Sequence, residues 1–479
     1  MAGPTPFGAP MKELFLIDED FRNLNHGTVP YSIIPRYTKR YLKKKQKGSF
    51  GTYPKAIQKV FRDYQHASEA RPDVFRRYTQ PKAIVAARTA IASLLHVPPE
   101  ECVLVKNAST GINTVLRNLL PFTPRDVIIY FDTVYGAVER SLVALCESTA
   151  LQHLRKVEYT FPLAHGEIVR RFRALVRQLR DEEHLNPKLA VFDTIVSMPG
   201  VRFPFEQLTR VAREEGVLSV IDAAHGVGQI PLDLSVLQPD FFTTNCHKWL
   251  YVPRGCAVLY VPRRHQHLIR TTLPTSWGFI PAPESAKWAA GLLASTVESD
   301  PDQSAFLRLF EFVATTDDTA YCCIPEAIKF REEVCGGEEK IYGYLEELAK
   351  EAADVVARIL GTEVLKEEEE EEGEEGSRLM ACAMSNVRLP VRIGSGQFVA
   401  ESGSGIKVRK DARGEVTVSC EDVGRLSGWI QDQLVERGTF VPVFAHGGAL
   451  WTRLSAQVYL DISDFEWLGG VLKEICSEI

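Results

Sequence analysis

No run of about 18 apolar residues occurs anywhere in the 479-residue chain, so no membrane-spanning helix is read from it. The opening stretch, MAGPTPFGAPMKELFLIDEDF, lacks a basic region followed by an apolar one; no secretory leader is read there, and a cytosolic protein is expected. The ten cysteines include no CxxC pair and have no His-x3-His partner, which argues against a zinc site and a disulfide framework. Reduced, mostly buried thiols are the expectation. Charge of one sign is scarce as well. Net charge is -6, but eight glutamates lie in KEEEEEEGEEG (366–376), and without them the rest carries +2. That near-neutrality offers no nucleic-acid signature. The acidic stretch reads as a solvated loop, since like charges repel and cannot pack.

What is present is a globular chain, 45% hydrophobic and 25% charged, long enough for a sizeable core in two domains. ECVLVKN (101–107), DVIIYFD (126–132), KLAVFDT (188–194), VLSVIDAA (217–224) and GCAVLYV (255–261) read as buried strands. Between them STGINTVLRNLL sets Ile112, Val115, Leu116 and Leu119 on one helical face, and FEQLTRVAREEG ends in a glycine stop at Gly216. The alternation predicts an α/β fold, a mainly parallel sheet covered by helices, over residues 61–319. A smaller α+β domain is expected over 320–479, with a long helix at 341–360, strands at MSNVRLP and EVTVSC, and a last helix near 464–478. Residues 1–60 carry few strand signals and are expected to wrap across the boundary.

In open α/β sheets ligands bind beyond the carboxyl ends of the strands, and polar residues stand past several of these. After CVLVKN come Ser109, Thr110 and Gly111 at a helix start, where free N–H groups and two hydroxyls suit a phosphate or an ordinary N-cap. After VLSVI come Asp222 and His225; the aspartate suits a metal, a cap or a protonated ring nitrogen. After DVIIYFD comes Tyr135, as core, stacking surface or proton donor. Lys248 follows His247 inside DFFTTNCHKWLYVPRG, a run otherwise aromatic, hydroxylic or apolar. An ammonium there is costly, so such a lysine shifts its pKa, finds a partner or enters a covalent bond. A phosphate cradle, an aromatic platform, an acid for a pyridinium and a His-Lys pair are together what pyridoxal 5'-phosphate requires.

The order of these parts, with DAAHGVGQ and NCHKW, resembles the fold-type I pyridoxal phosphate enzymes and, among them, the class V aminotransferase group. LNHGTVP (24–30) and TRLSAQVYL (452–460) resemble the opening and substrate-carboxylate motifs of its isopenicillin N epimerase-like branch. The resemblance implies that Lys248 carries the cofactor as an imine, Asp222 pairs with the pyridine nitrogen, and His225 contacts the ring substituents. Ser109, Thr110 and His247 would hold the phosphate. Asn245 falls where members often have serine, which leaves its contact open, and Tyr135 stands where many have a stacking histidine. Ala314 and Thr315 match a Gly-Thr pair that reaches the phosphate of a partner subunit, implying a homodimer with shared sites. Arg453 falls where the family grips the substrate α-carboxylate, with Asn25 and His26 beside it. Read without the resemblance, Arg453 is a surface residue on an edge strand.

Several reactions share these parts. Desulfurase chemistry needs a nucleophilic cysteine on a mobile loop, and neither Cys335 nor Cys382 has the expected Gly/Ser-rich arginine context. Epimerisation needs a second base that sequence does not reveal. FPLAHGEIV, SMPGVRFPFEQL and NCHKWLYVPRGCAVLYVP, with Tyr135, are similar to the fungal carbon-sulfur lyases that complete ergothioneine biosynthesis. That similarity implies a small amino-acid-derived substrate of hercynylcysteine sulfoxide type, with Lys248 as base and Tyr135 as proton donor to the departing sulfur. Tyr53, Trp277 and Phe279 are then aromatic candidates for a trimethylammonium group. A cofactor-binding relative turned scaffold or regulator is the expectation from another class.

Overall fold

The computed structural model describes residues 3–26, 51–283, 285, 304–367, 378–398, 400–401, 405–411 and 415–479. The first four strands are β1 (Cys102–Val105), β2 (Asp126–Phe131), β3 (His153–Val157) and β4 (Asn186–Asp193). A small hairpin, β5 (Ile195–Val196) and β6 (Val201–Arg202), precedes β7 (Leu218–Asp222), β8 (Phe241–Asn245) and β9 (Ala257–Tyr260). All but the hairpin form one sheet in the order β1-β9-β8-β7-β4-β2-β3. β9 is antiparallel to both its neighbours, while the pairs from β8 to β3 are parallel. The carboxyl ends of six strands therefore share one edge.

Side chains alternate along each strand. Val127, Ile129 and Phe131 enter one core and Ile128 the other. Both faces are covered, as a parallel sheet requires. Helices Ala108–Asn118 and Gly136–Ser148 bury Ile112, Val115, Val138 and Leu142 on one side. Helices His165–Asp181 and Phe205–Glu214 bury Phe172, Val176, Leu208 and Val211 on the other. Gly216, just past the last helix, has φ 66°, the left-handed turn that ends a helix at lowest cost.

The five strands expected from sequence are β1, β2, β4, β7 and β9. β3 and β8 carry weaker signals. β3 (HLRKV) is a half-buried edge, and β8 (FFTTN) hides two hydroxyls inside the sheet. Those hydroxyls are satisfied: Thr243 donates to the Val258 carbonyl at 2.9 Å and Thr244 to that of Ala223 at 2.6 Å.

The C-terminal part builds a second sheet from β10 (Met384–Gly394), β11 (Ala400–Glu401), β12 (Lys407–Lys410), β13 (Val416–Ser419), β14 (Val443–His446) and β15 (Ala449–Ser455). Its order is β11-β12-β13-β10-β15-β14, and helices Glu338–Leu360 and Ile462–Ser477 pack together beside it. The N-terminal segment reaches across: the Phe15 ring lies 5.4 Å from Tyr251, 6.2 Å from Phe330 and 4.8 Å from Tyr459. Residues 27–30 of the LNHGTVP motif and 368–376 of the acidic stretch lie outside the described residues. Glu367, the first glutamate of that stretch, is not free. Its carboxylate accepts from the Leu379 N–H, which corrects the reading of the whole run as a loop without packing.

Candidate active site

Lys248 sits in a one-turn helix, Cys246–Trp249, that starts where β8 ends at the shared edge. Its Nζ is 2.9 Å from His225 Nε2, and the Trp249 indole Nε1 donates to His225 Nδ1 at 3.2 Å. Burial lowers Lys248 to about 8, with Asp222 and Asp193 opposing the fall and Arg453 adding to it. Burial likewise pulls His225 well below the ordinary imidazole value, helped by the positive charges of Lys248 and Arg453. A lysine in this setting reaches its neutral form far more readily than a surface lysine does.

Asp222 ends β7 and accepts from the Ala224 N–H at 2.9 Å. Its register partner on β4 is Asp193, another buried carboxyl. Burial pushes both upward; Asp222's charge raises Asp193 further, while Lys248 pulls each back. Two buried carboxyls in register do not both ionise readily, so the pair's affinity for a proton is raised. Sequence reasoning missed Asp193, although it stands at the end of an apolar run in KLAVFDT, the same signal that marked Asp222.

Helix Ala108–Asn118 points its N-terminus at this edge. Asn107 caps it by accepting from Thr110 N at 2.8 Å, and Asn245 Oδ1 accepts from Ala108 N at 2.9 Å. Asn245 thus ties the end of β8 to the helix start. The helix can lie this close because residue 111 is glycine; a Cβ there would be 2.3 Å from Thr243 Oγ1. Ser109 and Thr110 occupy the first turn, half-buried. His247 donates from Nδ1 to the Cys256 carbonyl at 3.0 Å, so in the neutral ring Nε2 is bare, and burial holds the ring at about 4.

Tyr135 is the residue before helix Gly136–Ser148. Burial raises its phenol above the usual tyrosine value and the Asp222 charge adds to that, so the hydroxyl keeps its proton. Its turn is held by Thr133, whose Oγ1 is 2.6 Å from the Tyr159 hydroxyl.

Arg453 lies on β15, between β10 and β14, and is fully buried; this is no edge strand and no surface residue. Nη1 donates to the Ser197 carbonyl at 2.9 Å and Nη2 to Asn25 Oδ1 at 2.6 Å. Among the described residues Nε is buried without a partner. Burial lowers the group to about 9, and no carboxylate among the described residues pairs with it to offset that cost. The loop beneath it is set by Asn386, which accepts from Gly200 N at 2.7 Å and donates to its carbonyl at 2.9 Å. A Cβ on Gly200 would be 2.5 Å from Arg453 Cδ. Neither Asn386 nor Gly200 was marked by the sequence.

His26, assigned to substrate by resemblance, has a different place. It is fully buried, its Nε2 donates to the Lys248 carbonyl, and its Nδ1 accepts from the Tyr459 hydroxyl at 3.0 Å. Both nitrogens are used, which corrects the substrate role to support of the lysine's backbone. Tyr53 packs on Phe61 at 6.3 Å. Trp277 is 99% exposed and so is not among the side chains gathered round Lys248; Phe279 lies under the Arg270 guanidinium at 5.6 Å. Thr315 is exposed beside Ala314, whose φ of 112° is a conformation that glycine adopts more readily.

The donor set fits pyridoxal 5'-phosphate: an amine of lowered basicity, a carboxyl pair of raised proton affinity, a helix N-terminus with hydroxyls, and a buried cation that pairs with no carboxylate among the described residues. A family model described as aminotransferase class-V matches residues 53–278. The L-cysteine desulfhydrase-like protein lolT1 of Epichloe uncinata is 41% identical over 475 residues, covering 99% of this chain and 97% of that protein. This chain belongs to the class-V aminotransferase family. It is a pyridoxal phosphate-dependent enzyme of that family. The hercynylcysteine sulfoxide lyase of Schizosaccharomyces pombe is 27% identical over 485 residues, covering 100% of each chain. Among solved structures, the complex of the cystine C-S lyase C-DES with cysteine persulfide superposes with a TM-score of 0.65 at 16% identity, covering 89% of this chain and 95% of that one; at that identity the likeness shows the fold.

Proposed function

We propose that this class-V enzyme cleaves the Cβ–S bond of a cysteine-derived amino acid, releasing pyruvate and ammonia, and that its substrate is of hercynylcysteine sulfoxide type. The observation that carries the lyase reading is the placement of Lys248, whose basicity burial lowers to about 8, in one site with a fully buried Arg453 that pairs with no carboxylate among the described residues. When bound, the cofactor supplies an electron sink for the carbon from which a proton leaves. Lys248 would hold it covalently, with Asp222 at its ring nitrogen, Tyr135 on its face, and Ser109, Thr110 and His247 toward its phosphate. Asn245 contributes by fixing the helix that carries those hydroxyls.

Arg453 Nε and the second hydrogen of Nη2 form a fork for an α-carboxylate, with Asn25 keeping the guanidinium in plane. Lys248 Nζ takes up the α-proton. Tyr135, which keeps its own proton, gives it to the departing sulfur group. Desulfuration onto Cys335 or Cys382 is disfavoured: burial pushes them to about 12 and about 11, far from the thiolate that such chemistry uses. Ala314 and Thr315 are taken to complete the phosphate site of a second copy, giving a homodimer, and a cytosolic location is part of the same proposal.

Support for the sulfoxide substrate is the end-to-end similarity to the S. pombe lyase together with Tyr135. The 41% identity to the desulfhydrase-like protein lolT1 favours a second reading, free L-cysteine, with hydrogen sulfide as co-product. Pyruvate release from hercynylcysteine sulfoxide, S-methylcysteine sulfoxide and L-cysteine, compared as kcat/KM, decides between them. A preference for L-cysteine over both sulfoxides sinks the first substrate; no pyruvate from any of the three sinks the lyase reading.

A further inference from the structure

Trp249 follows the cofactor lysine directly, yet nothing in the reaction as described uses it. Its ring is fully buried, and its one polar atom points at His225: Nε1 donates to Nδ1 at 3.2 Å. An indole nitrogen can only donate. His225 Nδ1 must then be the bare nitrogen of a neutral imidazole, and Nε2 must carry the hydrogen. Nε2 is the atom that lies 2.9 Å from Lys248 Nζ. An N–H facing Nζ needs a lone pair there, which an amine has and an ammonium lacks. Had Lys248 been the donor, Nε2 would be bare and Nδ1 protonated, setting two N–H groups head to head at the indole.

The backbone keeps this chain of three in place. Arg331, fully buried, donates from Nη1 to the Trp249 carbonyl at 2.9 Å and from Nη2 to the Gly228 carbonyl at 3.0 Å, and is itself paired with Glu338. It therefore staples the turn bearing His225 to the turn bearing Lys248 and Trp249. A Cβ on Gly228 would come within 2.6 Å of the Trp249 carbonyl oxygen, so the two turns are already in contact. Gln229 adds a bond from Nε2 to the His225 carbonyl at 2.9 Å.

We propose that Trp249 is a positioning residue that selects the Nε2–H tautomer of His225, and that this tautomer keeps the Lys248 nitrogen a hydrogen-bond acceptor, the form able to take up a carbon-bound proton. This rests on the reading of Lys248 as the base. The charged and titratable groups facing the pair are Asp222 and Asp193 from the strand ends, which favour a protonated lysine, and Arg453, His26 and His247, which oppose one on His225. The carboxyl pair pulls toward the ammonium; the tautomer supplies a directional counterweight that charge alone does not.

The test uses the full-length holoenzyme, in which visible absorbance follows protonation of the Lys248 nitrogen. Trp249→Phe keeps an aromatic ring and removes the N–H, which frees His225 to place its hydrogen on Nδ1 and accept at Nε2. The absorbance titration should then move to higher pH by about one unit, a roughly tenfold change in protonation equilibrium, with cofactor content unchanged. Long-range ¹H–¹⁵N spectra of ¹⁵N-histidine-labelled enzyme, with His225 assigned by His225→Gln, should show Nε2–H in the wild type and a tautomer mixture in Trp249→Phe. If that variant does not fold, benzothienylalanine at 249, which has the ring shape and no N–H, replaces it. An unmoved titration with an unmoved His225 spectrum overturns the proposal, as does an Nδ1–H tautomer in the wild type. Failure of the base reading has its own signature, since Lys248→Arg would then retain α-proton exchange whatever the tautomer.

Discussion

In the seven-stranded sheet most strands are apolar and the proposed chemistry stands past their ends, whereas in the six-stranded sheet the one residue with a proposed role in substrate binding, Arg453, lies inside a strand. The first arrangement places Asp222, Asp193, Tyr135 and Lys248 by topology. Six parallel strands deliver their carboxyl ends to one edge, and each side chain needs only a short turn to arrive. The second places a cation by enclosure, and depends on Gly200 having no Cβ and on Asn386 holding both polar groups of that glycine. Residues at strand ends should therefore be replaceable without loss of fold, with the penalty falling on chemistry. Changes around Arg453 should affect binding and stability together.

The largest effect expected is at Lys248. Lys248→Ala should lower pyruvate release by at least ~10⁴-fold, the upper end for a positioned proton-transfer group, with the thermal midpoint near that of wild type. Borohydride reduction should no longer fix the cofactor to the chain. Wild-type turnover in this variant would mean that the base lies elsewhere.

Tyr135→Phe comes next and keeps the ring while removing the proton. Pyruvate release should fall ~10²- to 10⁴-fold while exchange of the α-proton persists, both followed on one sample by enzyme-coupled assay and NMR. Unaltered pyruvate release would leave Tyr135 as a stacking surface only.

The comparison between the sheets is sharpest in a pair of variants on the Arg453 side. Arg453→Lys replaces a planar fork with a point charge, and KM should rise ~10- to 100-fold with kcat less affected. Gly200→Ala should also raise KM, and in addition cost ~1–3 kcal/mol of stability as the added methyl displaces Arg453 or its loop. A Gly200→Ala enzyme with unchanged KM and midpoint would show that this region tolerates what the geometry forbids.

A pH effect on stability should follow from the buried histidines. His26 and His247 stand at about 4 in the fold against 6.5 unfolded, so below pH 6.5 the unfolded chain binds protons that the native one refuses. Their contribution is complete above about 6.5 and lost as pH falls toward 4. Denaturant midpoints should drop across that window, and His26→Gln should flatten the drop by on the order of 1–3 kcal/mol. An equally steep drop in His26→Gln would place the effect on other groups.

The smallest effect should come from the acidic stretch. Deleting residues 368–375 while keeping Glu367, whose carboxylate holds Leu379, should change turnover less than about twofold and the thermal midpoint by no more than about 2 °C. A marked loss of turnover in a folded deletion variant would give those glutamates a function.

Apolar runs with polar residues past their ends marked, by sequence alone, the parallel sheet and the candidates Asp222, Tyr135 and the Ser109–Thr110 turn at its carboxyl edge, and the apolar and aromatic run around Lys248 marked that lysine. Such a signal is local: a strand's burial and the identity of the residue just past it are both written within ten positions of one chain. Tertiary structure alone decided that Asp193 lies in register with Asp222, that Arg453 is buried and pairs with no carboxylate among the described residues, and that His26 supports the lysine's carbonyl. It alone joined Trp249 to Lys248 through His225. Each of these depends on hydrogen-bond geometry between residues brought together by packing, in most cases from distant parts of the chain. A lone histidine, tryptophan or glycine in a sequence carries no record of which nitrogen is bare or which backbone atom is a few ångströms away.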